Sequence, residues 1–209
     1  MPLAFKQLIE SIAGGKAPGP STSFTIFHII YALELTAEKP IGRNKLASKM
    51  NVGEGAIRTI IRRLKDEGLI VSSKEGCSIT NKGLRVWEEF QTRFPKRIEF
   101  NRNVLANSEY NFVYLVRNRG DKVESGIEQR DAAIITGAKK VTVVVSKQGN
   151  LIIDSVSENL EEDYPAAAKL ILKHFEPLEN DVIIIAGADS LLKAKKGAFA
   201  ASWTLIEAD

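Results

Sequence analysis

Apolar residues recur along this chain at two spacings, and the change from one to the other divides it. Leu3, Phe5, Leu8, Ile9 and Ile12 fall at helical spacing, and Gly14-Gly15 predict a stop at Ala13. The following GGKAPGPST reads as a loop rich in Gly and Pro. A second helix is expected to open with Thr22 or Ser23 as cap, to carry Phe24, Phe27, Ile30, Tyr31 and Leu33 on a wide apolar side, and to end before Pro40. From Gly42 or Arg43 a short helix follows, with Leu46, Ala47 and Met50 inward. Asn51-Val52-Gly53 forms a turn, and the next helix runs from Glu54 to Glu67 with Ile57, Ile60, Ile61 and Leu64 as one buried face. Gly68 stops it. Leu69-Ile70-Val71 begin a strand, Lys74-Glu75-Gly76 turn it and Ser78-Ile79 return. Thr80 then caps a helix carrying Leu84, Val86, Trp87, Phe90 and Phe94 up to Pro95.

Beyond Pro95 strand-like runs alternate with helical ones. Tyr110 to Val116 is an expected strand, RNRGDK a loop, and Ile127 to Thr136 a helix stopped by Gly137. Lys140 to Ser146 and Leu151 to Asp154 read as a hairpin around Gly149. Leu160 to Phe175 is a helix, with Ala166, Leu170, Ile171 and Leu172 as its apolar bulk. Asp181 to Ala186 is a buried strand, and Ser190 to Ile206 a last helix. The order βαββαβ plus a terminal helix predicts a ferredoxin-like, or split βαβ, domain. The fold class is therefore α+β, with an N-terminal domain over residues 1–95 and an α/β domain over residues 105–209.

Composition adds bounds. The 209 residues are 44% hydrophobic, enough to bury a sizeable core. The single cysteine, Cys77, excludes an internal disulfide and fits a reducing compartment. No run of about 18 apolar residues occurs, and the first residues lack a signal-peptide core, so a cytoplasmic protein without a membrane span is expected. The net charge of +3 is unevenly placed. Residues 1 to 100 carry 16 Lys or Arg against 10 Asp or Glu, whereas residues 101 to 209 carry 13 against 16. The basic balance sits in the first half, as expected if only that half faces a polyanion.

Between Arg43 and Lys65 seven residues are basic and only Glu54 is acidic. A helix that enters a major groove must bury one face in its own domain and offer the other to base edges, and residues 54–67 alternate in that way. Arg58 and Arg62, one turn apart, point together toward guanine or phosphate, with Glu54, Gly55 and Thr59 nearer the amino-terminal end of that face. Arg43, Lys45 and Lys49 on the preceding helix, and Lys74 at the hairpin tip, are placed for backbone phosphates. The plainer alternative is a solvated face on a protein-protein adaptor.

NKLASKMNVGEGAIRTIIRRLKDEGLIVSSKEGCSITNKG resembles the winged helix-turn-helix of many prokaryotic transcription regulators. Leu46-Ala47, Val52, Ile57-Arg58, Leu64, Gly68-Leu69-Ile70 and Ile79-Thr80 to Gly83 match its usual pattern, from which the chain departs at Gly53, where Ser normally caps the second helix. The resemblance covers about 60 residues and implies binding to double-stranded DNA. The whole chain is similar to an uncharacterised archaeal family that joins such a winged helix to an α/β domain of unknown function.

A βαββαβ domain behind a helix-turn-helix looks like the assembly and effector domains of leucine-responsive regulators, which implies a homodimer and a small-molecule effector. Candidate ligand residues are Gly187, Asp189 and Ser190 in AGADS, where a strand meets a helix start, and the neighbours Arg130 and Asp131. Asp189 opposes an anion there, and a plain strand-to-helix turn and a surface ion pair are the alternatives. The small residues of GAFAAS permit close packing, either at a dimer face or toward the sheet. His28 and His174 have no Cys, Asp or second His at ligand spacing, and no phosphate loop, dinucleotide fingerprint, nucleophile elbow or zinc motif occurs. No metal, cofactor or catalytic residue is expected. The expectation is a transcription regulator, not an enzyme, with residues 54–67 reading DNA. The alternatives are an enzyme of small-molecule metabolism under winged-helix control, as in archaeal fusions to a riboflavin kinase barrel, and an adaptor.

Overall fold

The computed structural model describes residues 4–14 and 23–207, so Leu3, Thr22 and the loop residues 15–22 lie outside the described residues. The chain divides after Phe90 into two compact units. That cut falls inside a helix and assigns residues 91–104 to the second unit, whereas the sequence placed the first boundary at 95 and the second at 105.

The first unit opens with α1 (Phe5–Ala13), which buries Phe5, Ile9, Ile12 and Ala13. Helix α2 (Ile26–Glu38) starts later than Thr22 or Ser23 would place it, because Thr25 supplies the cap and pairs with the third helical residue. The Thr25 N–H donates to Nδ1 of His28 at 2.9 Å, so buried His28 is an acceptor closing the end of a helix. Helix α3 (Arg43–Met50) buries Leu46 and Met50, while Ala47 is only half-covered. Asn51 ends it with φ 51°, and the Val52 N–H reaches back to the Ala47 carbonyl. A left-handed Asn here turns the chain sharply into α4 (Glu54–Asp66).

Helix α4 ends with the same device built on glycine. Gly68 has φ +68°, its N–H bonds to Lys65 O, and the Leu69 N–H bonds to Leu64 O. Strands β1 (Ile70–Ser73) and β2 (Gly76–Ile79) form a hairpin, and Ile41 pairs with Cys77 on its other side. Gly76 has φ +129°, and a Cβ there would lie 2.5 Å from the Ile41 backbone. Helix α5 (Asn81–Arg93) is capped by Thr80, whose Oγ1 accepts from the Gly83 N–H at 3.0 Å and donates to Gly68 O at 2.7 Å. The order helix, turn, helix, strand, turn, strand, helix is thus the one the sequence implies.

The second unit is a five-stranded antiparallel sheet of β3 (Arg97–Glu99), β4 (Tyr110–Val116), β7 (Val182–Ala188), β5 (Lys140–Lys147) and β6 (Asn150–Ile152), in that spatial order. Helices α6 (Ile127–Ile135), α7 (Leu160–Asp163), α8 (Pro165–Phe175) and α9 (Leu191–Thr204) complete it. The ferredoxin-like expectation does not hold in detail. That order would put the first and third strands of βαββαβ at the centre, with both helices on one face. Here the centre belongs to β7 and β5, the fourth and second. β6, at three residues, is too short for a central place, while VIIIAGA of β7 is buried at all seven positions.

Complete burial of β7 requires cover on both faces. Val113, Leu115, Ile183 and Ile185 pack with Ala168, Ile171 and Phe175 of α8 on one side. On the other, Phe199 of α9 stands 6.3 Å from the Tyr114 ring, and a Cβ on Gly197 would come within 2.6 Å of Ala138 Cβ. The small residues of GAFAAS therefore serve packing inside the unit.

Pro165 breaks the helix expected over 160–175. A residue before proline avoids the helical region, and Tyr164 sits at φ −138°, ψ 58°. The break leaves Ala166 and Leu172 exposed and turns Ala167, Ala168, Ile171 and Phe175 inward. Strand β3 has no counterpart in the sequence reading.

Candidate nucleic-acid interface

Helix α4 buries Ala56, Ile57, Ile60 and Leu64. Ile61, expected inward, is only half-buried and lies in a shallow groove with Arg43, Arg58, Arg62, Lys65 and Asp66. Four cations from the start of α3 and one side of α4 thus ring an isoleucine on the surface. Lys65 was not singled out by the sequence, because its place depends on where α3 begins.

The three arginines of α4 differ in their surroundings. Arg58 donates to Glu54 one turn back, N to O 2.8 Å, with both side chains more than 60% exposed. Such a pair is worth about 0–1 kcal/mol in water, so the guanidinium exchanges partners at small cost. Arg62 is exposed and has no hydrogen-bond or charged partner among the described residues. Arg63 instead turns back to its own domain. Its Nη1 donates to Ile12 O at 2.7 Å and Ala13 O at 2.9 Å, as well as to Gly14 O, and its guanidinium lies over Phe24 at 5.1 Å. It satisfies the open carbonyl end of α1.

The other expected contacts are distributed around this stripe. Gly55 is exposed with nothing within 4 Å of the place a Cβ would take, and Thr59 turns its hydroxyl to Gly55 O at 3.0 Å. Lys45 and Lys49 are exposed on α3. Lys74 is exposed at the hairpin tip beside Glu75, so the tip carries both signs. Arg43, Glu54, Arg58, Arg62 and Lys65 belong to one face across α3 and α4, while Lys74 belongs to the hairpin.

The ligand candidates of the second unit spend their polar atoms on close neighbours. Arg130 pairs with Asp131 at 3.2 Å. Asp189 is held below the usual carboxylate range, first by its hydrogen bond from Lys193 and then by the charges of Lys193 and Lys139, which stand 2.9 and 3.5 Å away. The Ser190 hydroxyl caps α9. Gly187 lies in β7 where a Cβ would strike Ser108 Oγ at 2.3 Å, so its smallness admits the segment that leads into β4. Arg130 lines a groove beside β5, and Gly187, Asp189 and Ser190 are not among its walls. His174 is exposed, edge-on to Phe100.

Comparison with known proteins separates the two halves. Residues 24–93, which include every candidate DNA contact, match the family described as the CggR N-terminal DNA binding domain. Residues 107–205 match a domain of unknown function, DUF4443. The chain is also similar to a solved hypothetical protein from Pyrococcus horikoshii OT3, with a TM-score of 0.70 and 26% identity over 88% of this chain and 93% of that one. No curated protein matches. The match of residues 24–93 to a DNA-binding domain supports a regulator-like architecture, and no helix among the described residues is long and apolar enough to cross a membrane.

Proposed function

We propose that the chain is a transcription regulator that reads duplex DNA with α4 in the major groove, working as two copies joined through the second unit. The observation that carries this reading is the division among the arginines of one helix. Arg63 is committed to the carbonyl end of α1, while Arg58 and Arg62 stand one turn apart with only a weak surface pair between them and solvent. An adaptor face has no need of a guanidinium pair at base-reading spacing beside a turn that leaves Gly55 open. In this reading Arg58 and Arg62 meet guanine or phosphate, Glu54, Gly55 and Thr59 lie against the bases, and Arg43, Lys45, Lys49, Lys65 and Lys74 hold phosphates. Two copies follow from the small reach of one helix, since a two-fold pair doubles the sequence read.

The test is a binding assay on genomic fragments with a salt titration. Log affinity should fall with log salt by about 0.9 for each phosphate neutralised. Arg58→Ala with Arg62→Ala should abolish the preference for the best fragment over random DNA, a loss of about 1–3 kcal/mol for each base-reading pair removed. Retained selectivity in that double variant overturns the assignment of α4.

A further inference from the structure

Strand β5 is longer than its neighbour. Its eight residues pair with β7 from Lys140 to Val145, but β6 pairs only with Val145, Ser146 and Lys147 and then leaves at Ile152. The Ser146 N–H bonds to Asp181 O, which sets the alternation: Lys140, Thr142 and Val144 face β7, and the backbone groups of Val141 and Val143 face the other way. Neither residue has a hydrogen-bond partner on that side among the described residues. Five residues of sheet edge, Lys140 to Val144, are open.

The surroundings of this edge are apolar. Val141 and Val143 turn their side chains into a groove of about 290 Å³ whose walls include Ile127, Ile153 and Val156. Ile127 and Val156 are 53% and 62% exposed, and along α6 Ile134 and Ile135 are 44% and 85% exposed. A free edge flanked by uncovered isoleucines is a strand-addition site.

We propose that a second copy of this chain occupies it, β5 against β5, across a two-fold axis normal to the sheet. This deepens the two-copy reading above and rests on it only for the identity of the occupant. Antiparallel pairing with Val141 opposite Val143 of the second copy uses all the free backbone groups of both edges at once. A register centred on Val143 would run Val141 into the segment that β6 already covers. The chosen register also matches charge. Lys139 and Lys140 stand at the start of β5, and Asp154, just past the end of β6, lines the same groove beside the open stretch, so antiparallel pairing brings the basic start of each β5 toward Asp154 of the other copy. The axis keeps both α6 helices on one side of a continuous sheet, where Ile127 and Ile134, which line the grooves beside β5, cover one another.

Sedimentation of the full chain tests this. The wild type should be a dimer at micromolar concentration, and the Val141 and Val143 amides should exchange more slowly with solvent as concentration rises. Ile127→Asp with Ile134→Asp, at exposed positions, should keep the fold and raise the dimer dissociation constant by about 100-fold, the loss of a buried apolar hot spot. Val141→Pro, which removes one free edge N–H, should weaken it in the same direction. A monomeric wild type, or folded variants that dimerise as the wild type does, overturns the proposal. Binding to a single half-site stays intact in the monomeric variants if α4 reads DNA, so failure of the interface and failure of the DNA reading give separate results.

Discussion

Arg58, Arg62 and Arg63 carry the same charge on one helix, and their differing fates decide what the helix can do. Arg63 forks into three carbonyls 49 to 51 positions earlier in the chain, a relation no local pattern encodes. The helical period separates Arg58 and Arg62 from the buried Ile57 and Ile60, and that much of the candidate site was legible. Arg63→Ala should lower unfolding stability by about 1.5–3 kcal/mol, the usual worth of hydrogen bonds to a charged group, read by urea titration. The Arg58 and Arg62 positions should keep their exposure in that variant. Asp189 supplies a test of a different kind. Its carboxyl titrates below the ordinary range because of Lys193 first and Lys139 second, so whatever stability the contact contributes is present above the unfolded-state value and is lost as pH falls through the folded one. Lys193→Ala should move that titration upward, as followed by carboxyl resonances.

Among the elements, the spacing of Leu46, Ile57, Leu64 and Ile70 was enough to place helices and hairpin within a few residues, because each buries one face of its own. Gly68 was legible as a helix stop, whereas Gly83 was visible only as a motif letter until the chain folded. Gly83 sits where a Cβ would lie 2.1 Å from Leu69 O, which is how α5 seats against the start of β1. Gly83→Ala should therefore destabilise the first unit by about 1–3 kcal/mol through overpacking, measured by thermal unfolding. The order of strands in the second unit was not legible. Each of YNFVYLV, KVTVVVS and VIIIAGA is apolar enough for a central place, and pairing among them is decided by long-range fit. The shortness of β6 was itself hidden, since Ile153 and Asp154 continue its pattern while the chain bends to bridge Ile153 with Ser157. Pro165 is the opposite case, a break written in the sequence that a smooth apolar pattern obscures.

For the molecule as a whole, the basic excess of residues 1 to 100 against the acidic balance of the remainder favours the first unit as the one to meet a polyanion. Removal of Lys45 or Lys49 should weaken binding to all DNA sequences alike and reduce the salt slope by about one phosphate. Glu54 behaves differently. Paired with Arg58 in the free protein, it sets a carboxylate at the base-facing end of a helix whose neighbouring cations suit phosphate. In the proposed reading, Arg58 would leave it for the backbone on arbitrary sequence and strand the carboxylate among anions, whereas opposite a cytosine Glu54 would gain an amino group. A regulator that reads DNA in the proposed way would dwell briefly on the wrong sequence and long on the right one, giving up grip for faster sampling of a genome, and Glu54→Gln should lengthen residence on random DNA while narrowing its preference.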